Sequence, residues 1–115
     1  MSLRLEEVKE ILECEVVVGE DQLDLSVDLG CAADLMSDVL AFSQSGSLLL
    51  TGLANEQAVR TADIAEVKAI VFVRGKKPNS EAIKLAERRR IPLLCTKFYM
   101  YEAAGRLYAS NLKSR

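Results

Sequence analysis

The chain has 115 residues, half of them apolar, and its 15 Lys plus Arg against 17 Asp plus Glu leave a net charge of −2, which argues against gathering nucleic acid through an overall positive field. It contains no histidine, and that removes Ser-His-Asp and Cys-His catalysis and most zinc sites. No apolar run nears the roughly 20 residues of a membrane span and no basic-then-apolar leader is visible, so a single cytoplasmic domain over 1–115 is expected, with no membrane partner.

In chain order, Leu5, Val8, Ile11 and Leu12 form an apolar stripe opposed by Arg4, Glu6, Glu7, Lys9, Glu10 and Glu13, the pattern of a first amphipathic helix. Glu15 to Val18 reads as a β-branched strand closed by a turn at Gly19 to Asp21. The segment 23–29 alternates apolar and polar residues, which predicts a half-exposed or edge strand, broken by Gly30. A helix is expected from Asp34 to about Phe42, with Leu35, Met36, Val39, Leu40 and Phe42 apolar. Three short apolar runs then begin at Leu48, Ile70 and Pro92, 22 residues apart. Between them, 55–65 and 80–90 carry the 3.6-residue period of helices. Strands apolar on both faces and separated by one helix each belong in a parallel sheet covered on both sides. Met100, Ala103, Ala104, Leu107 and Tyr108 mark a closing helix to about Leu112, and a frayed tail is expected over 113–115.

In such a sheet the strand ends line one edge, where ligands bind. Thr51-Gly52, Arg74-Gly75-Lys76-Lys77 and Thr96-Lys97 make that edge, and each supplies a glycine, a hydroxyl or a cation suited to a phosphate or carboxylate. Ordinary polar loops account for the same residues. No P-loop or GxGxxG spacing is present. A second constellation, Cys31, Asp34, Ser37 and Asp38, brackets a helix start. The three polar residues fall on one face of the first turn, as a cation or general-base site would need and as capping also would. Cys31 just ahead of that helix is either a thiol of lowered pKa or a packing residue. Cys14, Cys31 and Cys95 are an odd number without CxxC spacing and read as reduced thiols. No metal or cofactor is implied.

At Asp34-Leu35-Met36-Ser37-Asp38-Val39-Leu40-Ala41-Phe42, Leu48-Leu49-Leu50-Thr51-Gly52-Leu53, Val71 to Pro78 and Ile91 to Lys97, the chain resembles the DRTGG domain family, a module related to the N-terminal domain of HPr kinase/phosphorylase. Thr51-Gly52 stands where that family has its Thr-Gly-containing turn, although the five-residue signature itself is absent. The resemblance implies an HPr kinase N-terminal-domain-like fold, three α/β/α layers around a largely parallel sheet. It also implies a role in regulation and subunit contact, as in similar domains joined to phosphotransacetylase, CBS-domain pyrophosphatases and HPr kinase, where catalysis belongs to the other domain. Stand-alone versions are similar to small proteins encoded beside iron-only hydrogenase electron-transfer subunits and signalling kinases, which implies a protein partner in a regulatory or electron-transfer complex.

The expectation is a non-catalytic regulatory or assembly module that forms a homodimer and binds a small anionic metabolite or nucleotide at Thr51, Gly52, Arg74, Gly75, Lys76, Thr96 and Lys97. The alternative from another class is a small enzyme acting on a phosphorylated or acyl substrate, with Asp34 or Asp38 as base and Arg74 with Lys76 as the anion clamp. A third reading gives Cys31 and Cys95 a thiol-dependent role in iron–sulfur or redox assembly. Asp34 and Asp38 are expected to be exposed and to serve the helix start. Phe98, Tyr99, Met100, Tyr101, Leu107 and Tyr108 are more apolar surface than one helical face can bury, and they suggest a two-fold interface.

Overall fold

Every side chain of Ser47–Thr51, Ala69–Phe72 and Leu93–Cys95 is buried, as strands covered on both faces must be. The computed structural model, which describes residues 2–114, runs β1 (Leu3–Arg4), α1 (Leu5–Leu12), β2 (Glu15–Val18), β3 (Ser26–Val27), β4 (Leu29–Ala32), α2 (Met36–Phe42), β5 (Ser47–Thr51), α3 (Glu56–Ile64), β6 (Ala69–Phe72), α4 (Ser80–Arg89), β7 (Leu93–Cys95) and α5 (Met100–Ala109). The main sheet has the order β2-β7-β6-β5-β4. All its pairings are parallel except β2 with β7. A separate antiparallel ribbon joins β1 to β3.

The period-2 alternation of the strands divides the core into two halves. Leu49, Ile70, Phe72, Leu93 and Cys95 point to the face covered by α2, α3 and α4, where they meet Met36, Val39, Ala58, Val59, Ala62, Leu85 and Ala86. Leu48, Leu50, Ala69, Val71, Val73 and Leu94 point to the other face, against Leu5, Val8 and Leu12 of α1 and Ala103 and Leu107 of α5. The architecture is therefore α/β/α in three layers. Asn55 and Asn79 start α3 and α4 by accepting from the amides of Ala58 (3.2 Å) and Ala82 (2.9 Å), the usual N-cap bond that satisfies an orphan helix donor.

Several boundaries differ from the sequence expectation. The alternating segment 23–29 is not one strand, since Ser26–Val27 pairs with β1 while Leu29 already belongs to β4 and pairs with Ser47. The carbonyls of Leu25 and Leu23 instead accept from the first amides of α1, Leu5 at 2.8 Å and Glu6 at 2.9 Å, so the segment caps a helix end. Gly30 does not break a strand. It lies inside β4, opposite Leu48, at the sheet's edge. Its outward amide donates to Lys113 O at 2.9 Å, and Lys113 stacks on the Tyr108 ring, so the expected fraying does not extend to Lys113; Arg115 lies outside the described residues. The second helix begins at Met36 rather than Asp34, and the last ends at Ala109 rather than Leu112.

Gly19 closes β2 with φ +95°, and a Cβ there would stand 2.9 Å from Pro92 Cβ and 3.0 Å from Pro92 Cα. Both the left-handed backbone and the clash with a rigid ring oppose any side chain. Gly19→Ala is expected to destabilise the fold by about 1–3 kcal/mol, measured as a lower urea midpoint with unchanged slope.

Candidate functional site

The parallel strands β4 to β7 bring their carboxyl ends to one edge. Hydrogen bonds from Val73 N to Thr51 O (3.0 Å) and from Thr96 N to Phe72 O (2.9 Å) carry the ladder just past the last residues of β5, β6 and β7. Register on the fourth strand does the same, because Ala32 lies opposite Leu50 and Ala33 N donates to Leu50 O at 3.1 Å. The chain leaving β4 therefore crosses the end of β5. That crossing carries Asp34 to the Thr51-Gly52 turn.

There the Gly52 amide donates to Asp34 Oδ1 at 2.7 Å and the Thr51 hydroxyl donates to the same oxygen at 3.1 Å. Thr51 Oγ1 also accepts from Leu53 N at 3.1 Å, which orients the hydroxyl proton toward the carboxylate. Both Thr51 and Gly52 are buried although they end a strand. The expectation that Asp34 serves the helix start is corrected. Leu35 occupies the N-cap position of α2 without a side-chain cap bond, and the Asp34 carboxylate is spent on β5. Ser37 and Asp38 stay on α2, exposed.

The loop after β6 is a four-residue turn, Val73 to Lys76, closed by Lys76 N to Val73 O at 3.2 Å. Arg74 (φ 62°) and Gly75 (φ 70°) take its two central positions, the positive-φ pair of a type I′ turn. Glycine adopts this freely, whereas an L-residue does so at about 1–2 kcal/mol. The other non-glycine residues with positive φ among those described, Glu13, Glu66, Arg90 and Asn111, all close helices at their C-terminal ends. Arg74 has no such excuse. Its turn is fastened to the loop after β7 by Arg74 N to Phe98 O (2.8 Å) and Gly75 N to Thr96 O (2.9 Å).

The Arg74 side chain folds back over the β5 turn. A Cβ on Gly52 would stand 2.3 Å from Arg74 Nη2 and 3.2 Å from its Cζ, so the missing side chain at 52 is what admits the guanidinium. Among the described residues Arg74 makes no ion pair and no side-chain hydrogen bond, and its Nη atoms stay more than the 4 Å of a salt bridge from Asp34. Lys76 and Lys97 are exposed and likewise unpaired. Lys77 is drawn away to Glu15 of β2, whose carboxylate holds its ammonium pKa above the ordinary value. Thr96 is buried, and its hydroxyl donates to Leu12 O at 2.6 Å and accepts from Phe98 N at 3.3 Å. It supports the Arg74 turn through its carbonyl and offers nothing to the crevice.

The thiols sit apart from this edge chemistry. Cys31 belongs to strand β4, not to a helix start, and burial raises its pKa, which speaks against the lowered-pKa alternative and for the packing one, as does its contact with the core. Burial, then the neighbouring Cys95, pushes Cys14 up to about 12, and burial raises Cys95 as well. Cys14 and Cys95 pack in the two opposite halves of the core. All three are protonated at neutral pH.

With this geometry in view, the family model of the DRTGG domain matches residues 7–110. The chain belongs to the DRTGG family. Among solved structures, the DRTGG chain is similar to the regulatory region of a Clostridium perfringens pyrophosphatase, made of CBS and DRTGG domains and complexed with its activator, diadenosine tetraphosphate. The TM-score is 0.74 at 16% identity, over 97% of this chain and 50% of that one. The present chain thus spans about half the length of that region, and at this identity the likeness speaks for the fold. No curated protein matches the sequence.

Missed from the sequence was the role of Asp34 as the partner of Thr51 and Gly52. The pairing spans 17 and 18 residues and has no periodic signature. Two substitutions test the account of the turn. Gly52→Ala is expected to change stability by less than about 1 kcal/mol, because only a flexible side-chain tip is in the way, while shifting the Arg74 Nε resonance. Arg74→Gly is expected to raise stability by up to about 1 kcal/mol by relieving the positive φ; a denaturant melt that moves the other way contradicts the assigned strain.

Proposed function

We propose that this DRTGG domain is a regulatory module without catalysis of its own, binding a small anion, such as a nucleotide or other phosphate-bearing metabolite, at Thr51, Gly52, Arg74, Gly75, Lys76 and Lys97, and associating with a second copy of itself. The observation that carries the ligand reading is Arg74. An arginine is kept at a strained turn position that glycine would satisfy better, laid over a glycine that makes room for it, and left without a side-chain partner among the described residues. Strain held against local preference belongs with sites rather than with plain turns. The nucleotide class takes support from the pyrophosphatase region, whose activator is a dinucleoside polyphosphate.

Calorimetric titration with diadenosine tetraphosphate and with inorganic tripolyphosphate tests this. Binding is expected in the wild type and should weaken about tenfold or more in Arg74→Gly, the loss of a charge-assisted contact. Equal affinity in both proteins, or none in either, rejects the edge as the site.

Self-association is supported by α5, where Tyr101 is 94% and Tyr108 57% exposed beside Ala104, Gly105 and Ala109 in a broad, shallow, mostly apolar surface. Tyrosine is enriched at interfaces, and a two-fold contact there would bury on the order of 1,200 Å² or more. Sedimentation at tens of micromolar is expected to give a dimer, and Tyr101→Arg with Tyr108→Arg a 12.7 kDa monomer; a monomeric wild type ends this reading.

A further inference from the structure

The β5 turn offers two donors toward the crevice, the Gly52 amide and the Thr51 hydroxyl, and both are already given to one oxygen of Asp34, at 2.7 and 3.1 Å. A backbone amide and a hydroxyl converging on a single anionic oxygen at a strand end is how such edges bind external oxyanions. Here the oxyanion is internal, delivered from the end of the neighbouring strand. Its second oxygen accepts no hydrogen bond among the described residues. The guanidinium of Arg74, laid over the same Gly52 from the adjoining loop, does not close an ion pair with it.

We infer that Asp34 is a built-in competitor for the anion site: its carboxylate occupies the position a phosphate oxygen takes on the Thr51-Gly52 turn, and ligand binding expels it. The inference rests on the anion site proposed above. It follows from charge. A phosphate drawn to Arg74, Lys76 and Lys97 that reaches the Gly52 amide would bring like charges into hydrogen-bond distance of Asp34, and one must leave. Expulsion has a structural consequence. Just ahead of α2 the chain is held to β5 by two contacts, the Asp34 pair and Ala33 N to Leu50 O at 3.1 Å. Beyond them Leu35 is 61% exposed and α2 is anchored by Met36 and Val39. Losing the carboxylate contact frees 34–35 and loosens the first turn of α2, so occupancy of the edge is reported on the helix that packs against α3. The occupant is a phosphate-bearing anion, as three cations favour over a lone carboxylate.

The test is tripolyphosphate titrated by calorimetry into the wild type, Asp34→Asn and Asp34→Asn with Arg74→Gly. Asparagine keeps the acceptor oxygen and so the fold contact, but removes the charge. Asp34→Asn is expected to bind about tenfold tighter than the wild type, within the usual range of such coupling, and the double variant to lose that gain. Equal or weaker binding by Asp34→Asn, with the wild type still binding, overturns the competitor role and leaves the anion site standing. No binding by either protein overturns the site and the competitor together. Amide hydrogen exchange of the wild type gives a readout free of any variant: adding tripolyphosphate is expected to speed exchange over 34–38 at least threefold, and slower or unchanged exchange there contradicts expulsion.

Discussion

Burial of the central strands on both faces is the constraint from which the rest follows. Every side chain of β5, β6 and β7 is buried, and each large one, from Leu48 to Phe72 to Leu94, contributes on the order of 1.5–3 kcal/mol by leaving water. Exposed ion pairs such as Arg106–Glu102 contribute at most about 1 kcal/mol each. Covering both faces requires helices on each, and a chain that alternates strand and helix can do this only by returning every strand in the same direction. Parallel strands then end together. The candidate site exists because the core demanded that geometry.

At the shared edge the chemistry is set by steric allowance as much as by charge. Gly52 has an ordinary negative-φ backbone, and its glycine is needed for the space a guanidinium fills. Gly75 is needed for its positive φ, with nothing among the described residues near its absent Cβ. Two glycines in adjacent loops thus serve different ends, one admitting Arg74 and the other turning the chain that carries it. Asp34 completes the arrangement from a third strand. The result is a carboxylate and a guanidinium drawn to one turn without closing an ion pair between them.

The sheet is asymmetric at its borders, and that shapes what the surface can do. One border is β2, antiparallel and fastened through Glu15 to Lys77. The other is β4, whose outward Gly30 amide is taken by the chain's own Lys113, a self-made cover on an edge that would otherwise pair with another chain. Exposed tyrosines accumulate on α5, beside that border, rather than on α3 and α4, where exposed positions are mostly charged or polar.

How much could be read without the structure follows from range. Buried parallel strands announce themselves as unbroken apolar runs, and the helices between them repeat every 3.6 residues, so the three layers, the parallel sheet and the grouping of Thr51, Gly52, Arg74 and Gly75 at one edge were all legible in residues close together in the chain. The segment 23–29 misled because alternation records which side chains meet the core, whereas its backbone carbonyls were taken by the start of α1, a pairing across some 20 residues. Asp34 misled for the same reason. Its position before an apolar helix is what a cap looks like locally, and only the parallel register of β4 on β5 brings its carboxylate to Gly52. Local pattern determined the elements and their order, because burial and periodicity act over a few residues. Which donor meets which acceptor, and that Arg74 lies over Gly52, was decided by the tertiary structure, since those contacts depend on how neighbouring strands are set against each other.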